Sequence, residues 1–246
     1  MPQLFASKPY VIGVCGTSCS GKSRVCNEIS QQSNLLVKDQ ISQQSNLLVK
    51  DQISQQSNLL VKDQISKTMT TNGELVTILS QDRYYKGGDS QTNYDTPEAI
   101  DFDYLIEQLD ELCNWQPVNA PEYDFTRHCR KSTTHTISPN HIIIVEGIFV
   151  LYNEQLRKRF DLKIFVEAEP ALCLARRLER DVKERGRDQH EVTERYIRDV
   201  IPSNTLYVNP TKNWSDIILM NNIKEQFIGL TILNDHIAKK IDSLKK

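Results

Sequence analysis

The sequence has no long hydrophobic run, and none of its apolar stretches approaches the roughly 20 residues that a membrane-spanning helix needs. Its start, MPQLFASKPYVIGVCG, lacks the basic head and long apolar stretch of a secretory signal, and its apolar part is typical of a β-strand. Cationic residues are not in excess, because the formal net charge is −2. A nucleic-acid binder held by bulk electrostatics is therefore disfavoured. We expect a protein of small ligands, with neither membrane nor nucleic acid as partner.

The six cysteines form no C-x-x-C pair. We interpret them as reduced thiols of an intracellular, cytoplasmic protein rather than as a disulfide set or a zinc site. Apolar residues make up 39% of the 246 residues and charged residues 25%, which is ordinary globular usage. That length favours one α/β domain, residues 1–246, over two small ones.

Strand-like segments rich in β-branched residues alternate with segments of helical character. Strands are predicted at Tyr10–Cys15, Leu75–Leu79, Ile142–Val145, Lys163–Val166 and Asp216–Met220. Thr96 and Pro97 are predicted to open a helix that ends at Cys113, and further helices are predicted at 171–185 and 224–246. This alternation predicts a mostly parallel sheet covered by helices on both faces, a class that binds ligands at the carboxyl ends of its strands.

A glycine-rich motif follows the first predicted strand. Residues 16–23 read GTSCSGKS and match the P-loop pattern G-x-x-x-x-G-K-[ST]. The glycines let the backbone turn its N–H groups toward phosphate oxygens, and the following helix adds its positive end. Lys22 would reach the β and γ phosphates, and the Ser23 hydroxyl would ligate Mg²⁺. The predicted ATP-binding residues are Gly16, Thr17, Ser18, Cys19, Ser20, Gly21, Lys22 and Ser23.

The P-loop alone does not separate kinases from GTPases or ATPase motors. The guanine-reading motif N-K-x-D is absent, so a GTPase is disfavoured. Asp82 follows the second predicted strand, whose carboxyl end would face the P-loop. A carboxylate there can accept the proton of a hydroxyl that attacks the γ-phosphorus, although a lone aspartate after a strand is more often a cap.

Six stretches carry a family resemblance through their order along the chain. They are GTSCSGKS, SQDRYY, NYDTP, EYDFTRHCRK, IIIVEGIF and RRLERDVKERGRD. Each is weakly specific, but the ordered set closely resembles the uridine kinase (uridine–cytidine kinase) family of P-loop phosphotransferases, over nearly the whole chain apart from the repeats. The resemblance implies a P-loop kinase fold and ATP-dependent phosphorylation of the 5′-hydroxyl of uridine or cytidine in pyrimidine salvage, with Mg²⁺ as cofactor.

The same resemblance assigns roles at the nucleoside site. Asp82 matches the catalytic base, and Asp95 matches the carboxylate that accepts hydrogen bonds from the ribose hydroxyls. Tyr94 would wall the pocket. Three further residues match the pyrimidine site of the family. For Tyr123 and Phe125 the ordinary alternative is a place in the core of a strand, and for His128 it is a place on the surface. These three candidates, which would stack on and read the pyrimidine, are Tyr123, Phe125 and His128.

Glu146 ends a run of four β-branched residues and meets Gly147. A carboxylate that emerges there from a buried strand is suited to hold the magnesium shell together with Ser23, directly or through water. A helix cap is the structural alternative for Glu146.

Residues 170–190 hold a cluster of arginines interleaved with acids. On an ordinary surface helix this would be a solvated face with ion pairs. In a phosphotransferase it looks like a mobile lid that stabilises the transferring phosphoryl group and excludes water. The resemblance implies that Arg180 and Arg185 contact phosphates as catalytic residues with Lys22, and that Arg177 and Arg187 face the nucleoside.

One position departs from the family pattern. The family commonly has a glutamine before a tyrosine just past the lid, whereas this chain has Arg195 before Tyr196. An arginine has only donors, so base preference stays open. Two other functions stay open: phosphorylation of another small alcohol, as in phosphoribulokinases and pantothenate kinases, and a nucleotide-binding regulatory protein with impaired catalysis. The resemblance also suggests a homo-oligomer, often a tetramer.

The dodecamer ISQQSNLLVKDQ occurs three times in residues 29–64, and residues 65–66 begin a fourth copy. Because Lys22 and Asp82 are further apart than is usual in the family, residues 29–66 are predicted to be an insertion between the first helix and the second strand. Twelve residues turn a helix about 120° beyond three full turns, so the Leu-Leu-Val triplets would point to different sides of a straight helix. We favour helical repeats over a disordered loop, with a break or a partner chain that covers the triplets.

Overall fold

The computed structural model describes residues 8–35, 75–89, 91–222 and 228–244. Residues 29–35, which begin the predicted insertion, are helical and continue the first helix. Residues 36–66 lie outside these ranges, so the conformation of the rest of the repeats stays a prediction. None of the described helices has both the length and the apolar character that a membrane crossing requires.

Two sheets are present in the described residues. Their strands are β1 (Tyr10–Gly16), β2 (Val76–Ser80), β3 (Val118–Asp124), β4 (Cys129–Ile137), β5 (Ile142–Glu146), β6 (Leu162–Glu167) and β7 (Ile217–Met220). The central sheet is parallel, in the order β2-β5-β1-β6-β7, and β3 and β4 form a separate antiparallel hairpin. All five predicted strands are confirmed, each within one residue of its predicted bounds.

The described helices surround this sheet. They are α1 (residues 22–35), α2 (Phe102–Cys113), α3 (Glu154–Arg157), α4 (Pro170–Lys183), α5 (Gln189–Arg195) and α6 (Ile228–Leu244). After α5 the chain continues through π-helical turns at Tyr196–Val200 and Asn204–Val208, joined by a short α-helical turn at Ile201–Ser203, to a 3-10 turn at Asn209–Trp214. The predicted helix at 224–246 is confirmed from Ile228, and residues 224–227 lie outside the described ranges.

The central strand β5 shows how the two faces are covered, because all five of its residues are buried. Successive side chains of a strand point to opposite faces. Ile142 and Ile144 join a core that includes residues of α1 and α6, whereas Ile143 and Val145 join a core that includes residues of α2 and β3. The predicted sheet with helices on both faces is therefore confirmed.

The predicted start of the second helix at Thr96 and Pro97 is wrong. Pro97–Ala99 is a separate 3-10 turn, and α2 begins at Phe102, where the Asp101 side chain accepts a hydrogen bond from the Tyr104 amide at 3.3 Å. Between them Ile100 is extended, buried to 2% exposure, and bridged to Tyr85. Burying Ile100 against the core interrupts the helix and fixes Tyr85 beside the site described next.

Candidate active site

A cavity of about 390 Å³ lies where the P-loop and the segments after β2 and β5 meet the hairpin and α4. Among the residues predicted from the sequence, its lining includes Ser18, Cys19, Gly21, Lys22, Ser23, Asp82, Tyr94, Asp95, Tyr123, Phe125, His128, Glu146, Arg177, Arg180, Arg185 and Arg187. Three other predicted residues, Gly16, Thr17 and Ser20, belong to the P-loop but not to the lining. The structure thus gathers nearly the whole predicted set around one space.

The two P-loop glycines take backbone conformations that other residues rarely adopt. The φ angle is 149° at Gly16 and 101° at Gly21. A Cβ atom at Gly16 would meet the Val166 carbonyl oxygen, and one at Gly21 would meet the amide of Asn221. Asn221 is buried, and its Nδ2 donates a hydrogen bond to the Ser20 carbonyl at 2.6 Å. This asparagine after β7 was not predicted, although a polar residue at the carboxyl end of a parallel strand is the usual signal.

The P-loop lysine is already held inside the loop. Lys22 is 8% exposed, and its Nζ donates a hydrogen bond to the Thr17 carbonyl at 3.1 Å. Cys19, with φ of 63°, is a non-glycine residue in the left-handed region at the crest of the loop. The loop backbone and the Lys22 ammonium therefore present positive charge to the cavity.

Two acidic residues of the cavity lining, Asp82 and Glu146, both contact Ser80. The Ser80 hydroxyl donates to Glu146 Oε1 at 2.7 Å, and its oxygen accepts from the Asp82 amide at 3.4 Å. Burial raises the pKa of Glu146, and the Asp82 charge raises it further, while Lys22 and Ser80 lower it. The carboxylate of Glu146 and the hydroxyl of Ser23 are hard oxygen donors on the same cavity, which is the donor chemistry that Mg²⁺ prefers.

The far end of the cavity is an aromatic slot. Tyr94 and His128 stack with ring centroids 4.9 Å apart and planes at 10°. Tyr123 and Phe125 meet edge to face at 5.1 Å, although Phe125 lies just beyond the end of β3. Tyr85, which was not assigned from the sequence, also lines the cavity, with its ring centroid 5.4 Å from that of Tyr123. At these distances the rings pack against one another, so a flat heterocycle would stack on the faces and edges that the group presents to the cavity.

The histidine of the slot is constrained by its backbone. His128 has φ of 54°, and its carbonyl accepts a hydrogen bond from the Gly88 amide at 3.0 Å. Burial lowers the pKa of His128, and the positive charges of Arg195 and Arg187 lower it further. The imidazole is therefore neutral near pH 7, with one ring nitrogen donating and the other accepting.

Asp95 and Arg195 also border the slot. Burial raises the pKa of Asp95, the Arg177 charge lowers it, and Asp199 and Asp82 raise it. Arg195 is 9% exposed and lies 3.4 Å from Glu191. The departure from the family pattern noted in the sequence therefore lies in the cavity wall itself.

The arginines predicted to form a lid converge on one carboxylate. Asp181 of α4 is completely buried, and the sequence did not single it out. Arg185 also lies over the Phe125 ring, with its Cζ 4.5 Å from the centroid, and so connects this cluster to the hairpin. The guanidinium-to-carboxylate distances at Asp181 are 2.8 Å for Arg180, 3.3 Å for Arg185, 3.5 Å for Arg177 and 3.9 Å for Arg187.

Together the parallel sheet, the P-loop with its lysine and the arginine cluster define a P-loop kinase that transfers phosphoryl groups to small molecules. A model of the phosphoribulokinase/uridine kinase family matches residues 11–226. The chain belongs to this family.

Individual relatives agree. The chain is 34% identical over 219 residues to a uridine kinase of Deinococcus deserti, covering 86% of this chain and 87% of that protein. It is 37% identical over 216 residues to a uridine kinase of Staphylococcus haemolyticus, covering 85% and 86%. Among solved structures, the D-glycerate 3-kinase of Cryptococcus neoformans matches with a TM-score of 0.57 at 15% identity, covering 93% of this chain and 91% of that one. This last likeness concerns the fold alone.

Proposed function

We propose that the protein is an ATP-dependent uridine/cytidine kinase that phosphorylates the nucleoside 5′-hydroxyl to give UMP or CMP. The observation that carries this proposal is one cavity in which Lys22 of the P-loop, the carboxylate of Asp82 and an aromatic slot lie together. The relatives named uridine kinase support the same substrate class.

At the phosphate end, the P-loop amides and Lys22 bind the β and γ phosphates of ATP. Ser23 and Glu146 would hold Mg²⁺, which supplies neutralising charge to the triphosphate when bound. The hydrogen bond from Ser80 fixes Glu146 Oε1, so its carboxylate enters the reaction already oriented. Arg180 and Arg185 stabilise charge on the transferring group from the opposite side.

At the acceptor end, Asp82 takes the proton of the 5′-hydroxyl as that oxygen attacks the γ-phosphorus. Asp95 accepts hydrogen bonds from the ribose hydroxyls and so aims the 5′-oxygen. In the slot, Tyr94, Tyr123 and Phe125 stack on the base.

Arg177 and Arg187 face the nucleoside, and neutral His128 reads the base edge with one donor and one acceptor. Residues 170–190 act as a lid that excludes water during transfer. We place the reaction in the cytoplasm, as a step of pyrimidine salvage in a homo-oligomer, with a tetramer as the favoured assembly and ATP and the nucleoside as partners.

The test is a coupled ADP-release assay of the purified protein with Mg·ATP. Its acceptors are uridine, cytidine, ribulose 5-phosphate and pantothenate. Release that depends on uridine or cytidine is expected. Release with only ribulose 5-phosphate or pantothenate would instead identify a kinase of another small alcohol, and binding of ATP without acceptor-dependent release would identify a regulatory protein.

A further inference from the structure

The carboxylate of Asp181 divides four arginines into two pairs. Its Oδ1 lies 2.8 Å from Arg180 and 3.3 Å from Arg185, and its Oδ2 lies 3.5 Å from Arg177 and 3.9 Å from Arg187. The first pair is the one assigned to phosphates, and the second is the one assigned to the nucleoside. In this assignment one buried side chain touches groups that serve both ends of the cavity. The two pairs also meet the other end, because Arg177 donates a hydrogen bond to Ser18 at 3.4 Å and Arg185 lies over Phe125.

The contacts on the two oxygens differ in quality. Arg180 Nε donates a hydrogen bond to Oδ1 at 2.8 Å, whereas Oδ2 makes no hydrogen bond in the described residues. The two closest arginines are therefore the phosphate-facing pair, and Arg180 makes the well-oriented contact. Charge-assisted hydrogen bonds of this kind are about twice as strong as neutral ones.

The backbone of the same residue shapes the loop after α4. The Asp181 carbonyl accepts a hydrogen bond from the Arg187 amide at 3.0 Å. Gly186 takes φ of 64° between them, a left-handed conformation that glycine allows without strain. The turn closed by this bond returns Arg185 and Arg187 to the side chain of Asp181.

The electrostatics explain why an acid is needed here. Burial lowers the pKa of Arg185, and the neighbouring Arg180 lowers it further, which is the signature of like charges held together. Burial alone would raise the pKa of Asp181, but the hydrogen bond from Arg180 and the charges of Arg180, Arg185 and Arg177 outweigh it, so the net pKa is lowered. Asp181 is ionised and neutralises part of the cluster.

We propose that Asp181 is a positioning residue for phosphoryl transfer, which holds Arg180 and Arg185 where they meet the triphosphate and restrains how tightly they bind it. The effect of Asp181 on phosphoryl transfer rests on the proposed kinase function. Its effect on phosphate affinity rests on the geometry of the arginines alone.

The decisive variant is Asp181→Asn, which keeps the shape and removes the charge. Loss of positioning is expected to lower kcat about 10- to 100-fold, less than the roughly 10²- to 10³-fold lost when a transition-state donor is removed, because both arginines remain. Loss of the negative charge is expected to raise the affinity for inorganic tripolyphosphate about 3- to 10-fold, measured by titration calorimetry at fixed salt. The KM for uridine should change less than about threefold, because the contacts on Oδ2 are long.

The matched control is Glu191→Gln, a second neutralised carboxylate in the same region. Glu191 lies 2.8 Å from Arg187 and 3.4 Å from Arg195, away from the phosphate-facing pair. This variant should leave the tripolyphosphate affinity unchanged and raise the KM for the nucleoside. A gain of tripolyphosphate affinity in both variants would reduce the effect to bulk charge and overturn the role of Asp181.

A lower kcat together with a higher tripolyphosphate affinity distinguishes a positioning residue from one that only supports the fold. A purely structural role would lower kcat, tripolyphosphate affinity and Tm together, and this outcome would overturn the proposal, as would a wild-type kcat in Asp181→Asn. If Asp181→Asn does not fold, Asp181→Glu decides, since it keeps the charge but moves it by one methylene. That variant should lower kcat at unchanged tripolyphosphate affinity, and a wild-type kcat would contradict positioning.

If the wild-type protein phosphorylates no nucleoside, the proposed function fails. The tripolyphosphate titration still tests Asp181 in that case: the affinity gain in Asp181→Asn, absent from Glu191→Gln, supports its charge role, and unchanged affinity overturns it.

Discussion

The two ends of the cavity are built in different ways. The phosphate end is centred on one contiguous segment, residues 16–23, in which the backbone does much of the binding. The nucleoside end gathers side chains from separate stretches around Tyr94, the β3–β4 hairpin and α5. Phosphate binding is thus encoded locally, while base and ribose recognition depends on how distant segments pack.

Asp82→Asn removes the proposed base, which acts where the phosphate end meets the nucleoside end, and should have the largest effect on kcat. An amide cannot accept the 5′-hydroxyl proton, so kcat is expected to fall about 10²- to 10⁴-fold. Both binding ends remain, so the KM values for ATP and uridine should change little. Steady-state rates measured by ADP release check this, and a variant that keeps the full rate would remove Asp82 from the role of base.

Asp95→Asn tests the nucleoside end alone. Replacing a charged acceptor of the ribose hydroxyls by an amide exchanges hydrogen bonds worth about 1.5–3 kcal/mol for neutral ones worth about 0.5–1.5 kcal/mol, and the difference of about 1–1.5 kcal/mol corresponds to roughly a 5- to 10-fold loss in kcat/KM for uridine. The affinity for ATP without nucleoside should stay at the wild-type value, because the P-loop is untouched. Equal losses at both substrates would show that the two ends are not separable in this way.

The contrast between the ends also explains what the sequence could predict. The P-loop has a fixed spacing because its glycines must place consecutive amides on one anion, so residues 16–23 were identifiable from the chain alone. The sheet was likewise predictable, since runs such as Ile142–Val145 are buried on both faces.

Other parts depend on tertiary packing. Tyr85 became a site residue because its bridge to Ile100 interrupts a helix that local propensity favours. Asn221 contacts the P-loop from more than two hundred positions away. Asp181 differs from these two, because Arg177 and Arg185 stand four residues from it and the helical spacing could have indicated those pairs. The sequence could not show that Asp181 is completely buried, nor that the turn at Gly186 brings Arg187 back to it.

Arg195→Gln tests how the nucleoside end distinguishes bases. Arginine supplies only donors, whereas glutamine supplies a donor and an acceptor, so the variant can pair with an amino group that Arg195 cannot accept from. We expect the ratio of kcat/KM for cytidine over uridine to rise about 3- to 10-fold, roughly one neutral hydrogen bond. Competition assays with both nucleosides measure the ratio directly, and an unchanged ratio would place Arg195 outside base recognition. Rates with ATP limiting and nucleoside saturating serve as the control, since the phosphate end is unaltered.

The smallest expected effect is on the pKa of His128, which responds to the charges around the aromatic slot. Its pKa is lowered from the usual 6.5, first by burial and then by Arg195 and Arg187, so the ring takes up its proton only at a more acidic pH than a free histidine does. In Arg195→Gln one positive charge is gone while burial remains, so the midpoint of the His128 titration should move upward. Proton NMR of the imidazole resonances follows this shift, with His128→Asn to assign the signal among the five histidines.

Because the neutral His128 ring is the form that both donates and accepts, the KM for uridine should be flat above neutral pH and rise on acidification. That rise should begin at a higher pH in the arginine variant, and identical midpoints in the two proteins would mean that Arg195 exerts no field at the base.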